Sequence, residues 1–186
     1  MLFRSIKIRV QGNANDQSNQ EIARAVSDAG ADFIVVHGRH WSEHYETSCR
    51  YDEIKFFVQA LKIPVIGNGD IQSVESLKQM FLTGCAGAMI GRAGVGQPWL
   101  IKKLISEFNH QPFIMPTSAE IGSMFLEHIV QLIELLNSEK LAILQARKFA
   151  QYYGRTLAEK KEFNHAVNTC ERFGHLQKLV RYYFNI

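Results

Sequence analysis

Apolar residues fall first into short runs and later into long stripes, and the change divides the chain. Ile6–Val10 predicts a strand in which Lys7 and Arg9 alternate with Ile6, Ile8 and Val10. After a polar loop, Gly12–Ser18, either Ser18 or Asn19 caps a helix with Ile22, Ala23, Val26 and Ala29 on one face and Gly30 at its end. Phe33–Val36 predicts a second, buried strand, and Tyr51–Leu61 a helix turning Ile54, Phe57, Val58 and Leu61 inward. Ile63–Ile66 is the third strand, with Gly67–Asp70 as a turn at its carboxyl end. Ser73 caps a helix through Leu77, Met80 and Phe81 that Gly84 stops. Ala88–Ile90 is the fourth strand, Gly91–Gly94 follows it, and Pro98 stands early in the next helix.

Beyond Trp99 the periodicity becomes helical throughout. Thr117 and Glu120 form a capping box, followed by one stripe of Ile121, Phe125, Ile129, Leu132 and Leu136. Leu141–Leu157, Glu162–Cys170 and Leu176–Phe184 continue as helices. His110–Pro116, with two prolines, reads as a linker. The expected fold is α/β. Residues 1–110 hold four βα units, the second half of an eight-stranded TIM-type barrel, and residues 117–186 form a small all-α domain. A closed barrel typically needs ~250 residues, and this chain has 186.

Composition changes this picture little. Hydrophobic residues are 46% and charged residues 21%, ordinary for a globular protein. No apolar run approaches the ~20 residues of a membrane helix, and the start, MLFRSIKIRV, is too short and too charged for a secretory leader. Three cysteines in no metal-like spacing point to a reducing compartment, so a cytoplasmic location is expected, with no metal site and no membrane. The net charge of +3 is unevenly placed: from Lys140 to Ile186 there are 9 basic residues and 3 acidic. A basic tail suits contact with phosphates, or equally a lysine-rich helical surface.

Two glycine-rich loops after consecutive strands are the first candidate chemistry. Asn68, Gly69 and Asp70 in one loop, with Gly91 and Arg92 in the other, suit a phosphate clamp. Glycine lets backbone N–H groups approach an anion, and arginine adds a forked cation. In βα barrels this clamp often follows the last two strands. The alternative is that the glycines only make tight turns. His37 ends the second strand, on the side where barrels do chemistry, with a structural role equally open. Lys7, read alone, is a solvated strand residue. The loop Trp41–Tyr51, long for a βα connection, carries Trp41, His44, Tyr45 and Arg50. These side chains suit stacking and pairing with nucleic acid, or packing onto the sheet rim. Arg147, Lys148 and Arg155 run roughly along one helix with Tyr152 and Tyr153, a pattern for RNA backbone contact or for a charged face over an aromatic core.

The segment IPVIGNGDI, followed about twenty residues later by GAMIGRAGVGQPW, resembles the carboxyl half of the tRNA-dihydrouridine synthases. The resemblance extends upstream to IKIR (Ile6–Arg9) and VVHGRHWSEHY (Val35–Tyr45), and more loosely downstream to ARKFAQYY (Ala146–Tyr153). It covers nearly the whole chain and begins halfway through that family's barrel. It implies a flavin-dependent (β/α)8 enzyme that reduces specific uridines of tRNA to 5,6-dihydrouridine, with FMN as cofactor and NADPH as reductant. It implies that Lys7 contacts the flavin ring, that His37 contacts the flavin nucleotide, and that Asn68, Gly69, Asp70, Gly91 and Arg92 hold its phosphate. It assigns tRNA contacts to Arg39 and Tyr45, and to Arg147, Lys148 and Arg155 in the helical domain. His40 stands where the family usually has threonine.

The family's proton-donor cysteine lies in its first half, and Cys49, Cys85 and Cys170 do not match it, so no catalytic acid is assigned. The expectation is a carboxyl-terminal fragment, inactive alone, that associates with the missing amino-terminal half or with itself through open sheet edges. Two other functions suit the same residues: a non-catalytic flavin- or RNA-binding module, and a barrel enzyme acting on a sugar phosphate.

Overall fold

The structure is a computed structural model that describes residues 4–12 and 17–186. It divides into two compact units: one runs to Ala93 and adds Leu100–Gln111, the other comprises Gly94–Trp99 and Pro112–Ile186.

The first unit is built from β1 (Ser5–Arg9), α1 (Gln17–Asp28), β2 (Phe33–His37), α2 (Tyr51–Ala60), β3 (Val65–Asn68), α3 (Val74–Phe81), β4 (Gly87–Met89) and α4 (Leu100–Phe108). The four strands form one parallel sheet in the order β1-β2-β3-β4. Crossovers between parallel strands are right-handed almost without exception, so a sheet whose order never reverses carries all its helices on one face. The core shows this: Ala23 and Val26 of α1, Ile54 and Phe57 of α2, Leu77 and Met80 of α3, and Leu100 and Leu104 of α4 share one cluster with Ile34, Val36 and Val65. Ile6, Ile8 and Val10 join the same cluster. Strand side chains alternate, so Lys7, Arg9, Val35, His37, Ile66 and Asn68 belong to the opposite face.

Two local differences from the sequence reading have clear causes. The third strand starts at Val65 and runs through Asn68 instead of ending at Ile66. Pro64 has no N–H for the ladder, although its carbonyl accepts from the Ile34 N–H at 3.1 Å. Gly67 stays in the strand because the chain passes so close to α3 that an added Cβ would lie 2.3 Å from Met80 Sδ. Asn19 is not a cap: α1 begins at Gln17, and Asn19 is fully buried. Its amide donates to Glu53 Oε2 at 2.7 Å and its oxygen accepts from the Gln11 N–H at 3.1 Å. Part of the expected Gly12–Ser18 loop lies outside the described residues. Pro98 precedes α4, which starts two residues later.

The second unit contains α5 (Ser118–Leu136), α6 (Glu139–Tyr153), α7 (Lys160–Asn168) and α8 (Phe173–Phe184). Its start follows the expected capping box. Thr117 Oγ1 accepts from the Glu120 N–H at 3.3 Å, while the Glu120 carboxylate accepts from the Thr117 N–H at 2.7 Å. Ile121, Phe125 and Ile129 pack with Ile143, Ala146, Tyr153, Phe163, Val167, Leu176, Val180 and Phe184. The ring of Phe125 stacks on Tyr153, with centroids 4.8 Å apart. Helix α6 ends at Tyr153 and gives way to a 3-10 turn, Gly154–Thr156, so Arg155 is not on the helix with Arg147 and Lys148.

Candidate functional site at the strand tips

The register aligns Arg9, His37, Asn68 and Met89 in one row at the carboxyl ends of the four strands. In a parallel sheet such neighbours point to the same face, here the one opposite the helices. Lys7 lies two residues earlier on β1 and shares that face. Its Nζ donates to Asn68 Oδ1 at 3.4 Å, and Asn68 Nδ2 donates to the Met89 carbonyl at 2.8 Å. Asn68 therefore joins the tips of β1, β3 and β4 with its side chain alone.

A cleft of about 710 Å³ opens over this row, lined among others by Lys7, Arg9, His37, Asn68, Asp70 and Arg92. That volume lies within the ~300–1,000 Å³ usual for small-molecule sites. Its charged lining is Lys7, Arg9, Arg39 and Arg92 against Glu46 and Asp70.

Arg39 and Asp70 neutralise one another. The Arg39 side chain is 2% exposed, and its Nη2 lies 2.5 Å from Asp70 Oδ2. Arg39 also donates to the carbonyls of Thr47 and Tyr45, and Nη1 donates to His37 Nε2 at 3.4 Å. A guanidinium only donates, so Nε2 of His37 is the accepting nitrogen. Arg39 is thus a strut beneath the long loop after β2, and its buried guanidinium is taken up by that loop and not free for the tRNA contact the resemblance implied. Arginine is rarely buried without partners; the loop's own carbonyls supply them here. Burial alone would raise the Asp70 pKa. The Arg39 hydrogen bond, the Cys49 N–H at 3.0 Å, and the charges of Arg39 and Arg92 outweigh it and hold the carboxyl below its ordinary range.

His37 is buried and lowered to about 4, first by burial and then by the charges of Arg9, Lys7 and Arg39, with Asp70 opposing. At neutral pH it is an uncharged ring that accepts a hydrogen bond.

Arg92 differs from Arg39. Its side chain is 53% exposed, its guanidinium lies over the Tyr45 ring at 3.8 Å, and its nearest carboxylate oxygen, on Asp70, is 3.6 Å away. Arg9 approaches the same ring at 5.8 Å. Tyr45, 56% exposed, thus stands beside two cations at the cleft mouth. Gly69 has φ +137°, which side chains rarely adopt, and a Cβ there would meet Cys49 Sγ at 2.5 Å. Gly91 is the reverse: an added Cβ meets nothing within 4 Å, so its backbone borders open cleft.

The donor set fits a phosphoryl ligand. Once Arg39 and Asp70 cancel, Lys7, Arg9 and Arg92 face a single carboxylate, Glu46. Arg9 was absent from the sequence-derived set, although its alternation with Lys7 on one strand already placed the two cations on one face.

None of the three cysteines lines this cleft. Cys49 packs behind Gly69, and burial first, then Asp70, pushes its thiol up to about 11. Cys85 belongs to the first core and Cys170 to the second. Among the remaining expected RNA contacts, Lys148 is exposed, while Arg147 Nη2 donates to the Cys170 carbonyl at 2.9 Å. Arg155 donates to the carbonyls of Tyr152 and Val95, at 2.7 and 2.5 Å. No group of histidine, cysteine or carboxylate side chains among the described residues is arranged to hold a metal ion. No described helix is long and apolar enough to cross a membrane.

Comparison with known proteins places these features in a family. The chain is 31% identical over 170 residues to tRNA-dihydrouridine synthase B of Pseudomonas syringae pv. tomato, covering 90% of this chain and 50% of that protein. It is 31% identical over 183 residues to tRNA-dihydrouridine synthase B of Shewanella oneidensis, covering 97% and 56%. A probable tRNA-dihydrouridine synthase of Helicobacter pylori is 28% identical over 183 residues, with 97% and 53% covered. The chain spans about half the length of these curated relatives. Among solved structures, the RcsB response regulator of Salmonella typhimurium aligns over 96% of this chain and 98% of its own with a TM-score of 0.32 and 11% identity, too weak a likeness to bear on the fold. The family model for dihydrouridine synthases matches residues 4–184, and the chain belongs to that family.

Proposed function

We propose that this chain carries the flavin-holding half-barrel and the RNA-contacting helices of a tRNA-dihydrouridine synthase. The observation that carries the reading is the row Arg9–His37–Asn68–Met89 beneath a cleft with excess positive charge. A parallel sheet whose order never reverses, with helices on one face alone, is what half of an eight-stranded βα barrel looks like; doubly wound sheets reverse direction and are covered on both faces.

FMN, when bound, supplies the two-electron chemistry that reduces a uracil, with NADPH as the source of electrons. Arg92, the open backbone at Gly91 and the loop around Gly69 hold its phosphate. Asp70 acts through Arg39 and Arg92, since a carboxylate does not itself attract phosphate. Lys7 and Arg9 place positive charge where an electron-rich ring gains from it, and neutral His37 offers hydrogen bonding without charge. Tyr45 at the cleft mouth meets the RNA, and Lys148, with Arg147 and Arg155, adds positive charge on the helical unit. Substrate bases reach such a cleft only when extruded from their stack.

The test compares FMN with riboflavin, which lacks the phosphate, by fluorescence titration of the purified protein. FMN is expected to bind at least about tenfold tighter, the scale of one charge-assisted contact. Arg92→Ala is expected to erase the difference. Equal affinity for the two flavins removes the phosphate clamp from the reading. Assay of dihydrouridine on unmodified tRNA then separates an enzyme from a binding module.

A further inference from the structure

The helical unit has a cleft of its own, about 450 Å³, to which the reading above gives no role. It is formed by Ser118 at the start of α5, the turn containing Thr156 and Glu159, and Tyr182, Tyr183 and Asn185 at the end of α8. Tyr182 is 72% exposed, so its ring face is open to a partner. Tyr183 stands perpendicular to it at 5.1 Å and is itself braced on Phe163 at 5.3 Å. The second ring is anchored to the core, and the first projects from it into solvent.

Around this aromatic pair the lining is mixed, with Leu157 and Ala158 among polar side chains. Ser118 and Thr156 offer hydroxyls, Asn185 an amide and Glu159 a carboxylate. Cations adjoin the lining segments in sequence: Arg155 before Thr156, Lys160 and Lys161 after Glu159, and Arg181 before Tyr182. Lys160, Lys161 and Arg181 are exposed and make no ion pair among the described residues. An exposed aromatic platform with hydroxyl and amide groups beside it, and cations on the adjoining residues, is a combination that takes an unpaired base while holding its phosphates. A peptide partner would more often meet a continuous apolar groove, and here Leu157 and Ala158 are interrupted by Ser118, Thr156, Glu159 and Asn185.

We propose that this cleft is a docking pocket for an unpaired nucleobase of RNA, stacked on Tyr182, with Lys160, Lys161 and Arg181 on the flanking backbone. The proposal rests on the reading that the chain binds tRNA, and it gives the helical unit a base-holding subsite separate from the strand-tip cleft. The test measures affinity for unmodified tRNA by filter binding, for the wild type, Tyr182→Ala and Tyr182→Phe. Thermal unfolding checks that each variant folds, which the exposure of Tyr182 leads one to expect. Tyr182→Ala is expected to weaken binding by about tenfold, the scale of one base–aromatic stack, and Tyr182→Phe to retain it. A short single-stranded RNA should compete better than a duplex of equal length.

Wild-type affinity in Tyr182→Ala, with the wild type binding tRNA normally, overturns this proposal alone. So does a Tyr182→Phe variant as weak as Tyr182→Ala, or equal competition by the duplex. A wild type that binds no tRNA overturns both this proposal and the RNA reading beneath it.

Discussion

Replacing Asp70 by asparagine should make the protein less stable and its anion site stronger. The carboxylate sits 2.5 Å from Arg39 and 3.6 Å from Arg92. Arg39 is 2% exposed at its side chain, so losing its counter-ion leaves a buried charge with hydrogen bonds to the Thr47 and Tyr45 carbonyls but no anion. Breaking a fully buried pair costs ~3–5 kcal/mol. Asp70 is a third exposed, and asparagine still offers an oxygen, so the expected loss is nearer ~2 kcal/mol. The ligand sees the opposite effect. A fixed carboxylate beside the anion site opposes a bound phosphate by roughly 1 kcal/mol, several-fold in affinity. Asp70→Asn should therefore lower the urea midpoint and raise FMN affinity at low salt, with the gain shrinking as salt is added. Weaker FMN binding by a folded variant would mean that Asp70 helps more by positioning Arg92 than its charge repels, which overturns the predicted gain in affinity. An unchanged urea midpoint would mean that Arg39 does not need it, which refutes the strut.

His37 sets a pH dependence. Its ring is lowered to about 4 in the fold, against ~6.5 in an unfolded chain. Above pH ~6.5 neither state binds the proton; between ~6.5 and ~4 only the unfolded chain does, so stability falls as pH drops through that window, by ~2 kcal/mol after allowance for the solvent-open cleft, and then levels. Urea midpoints should follow this slope in the wild type and lose it in His37→Asn; identical slopes would remove His37 from the account. Gly69→Ala and Gly91→Ala should separate. The first forces a side chain into φ +137° and against Cys49 Sγ, costing ~2–4 kcal/mol in thermal or urea unfolding. The second should leave stability within ~0.5 kcal/mol while weakening FMN binding several-fold, because its methyl enters the cleft; a stability loss at Gly91 would show that its backbone is packed, not open.

Local rules account for much of the architecture. The four strand-length apolar runs, the intervening helical stripes and the Thr117–Glu120 capping box depend on periodicities of two and 3.6 and on hydrogen bonds within a few residues. All are written in consecutive positions. The glycine-rich turns after the third and fourth strands were legible for the same reason, since a strand followed by such a turn is a local pattern.

What the sequence alone determined, then, was the element order, the family motifs and the presence of cations near strand ends. Only the tertiary structure decided which charges stay open in the cleft and which are spent on partners. Arg39 and Arg92 are the same residue type beside the same aspartate, yet one is buried under its own loop and the other is half exposed over Tyr45. Arg9 entered the site through the strand register, and Asn19 left the helix cap because Glu53, thirty-four residues away, offered its carboxylate. The physical reason is common to these cases. Burial and ion pairing depend on what lies across space, and distances between residues far apart in the chain exist only once the strands have paired and the helices have packed.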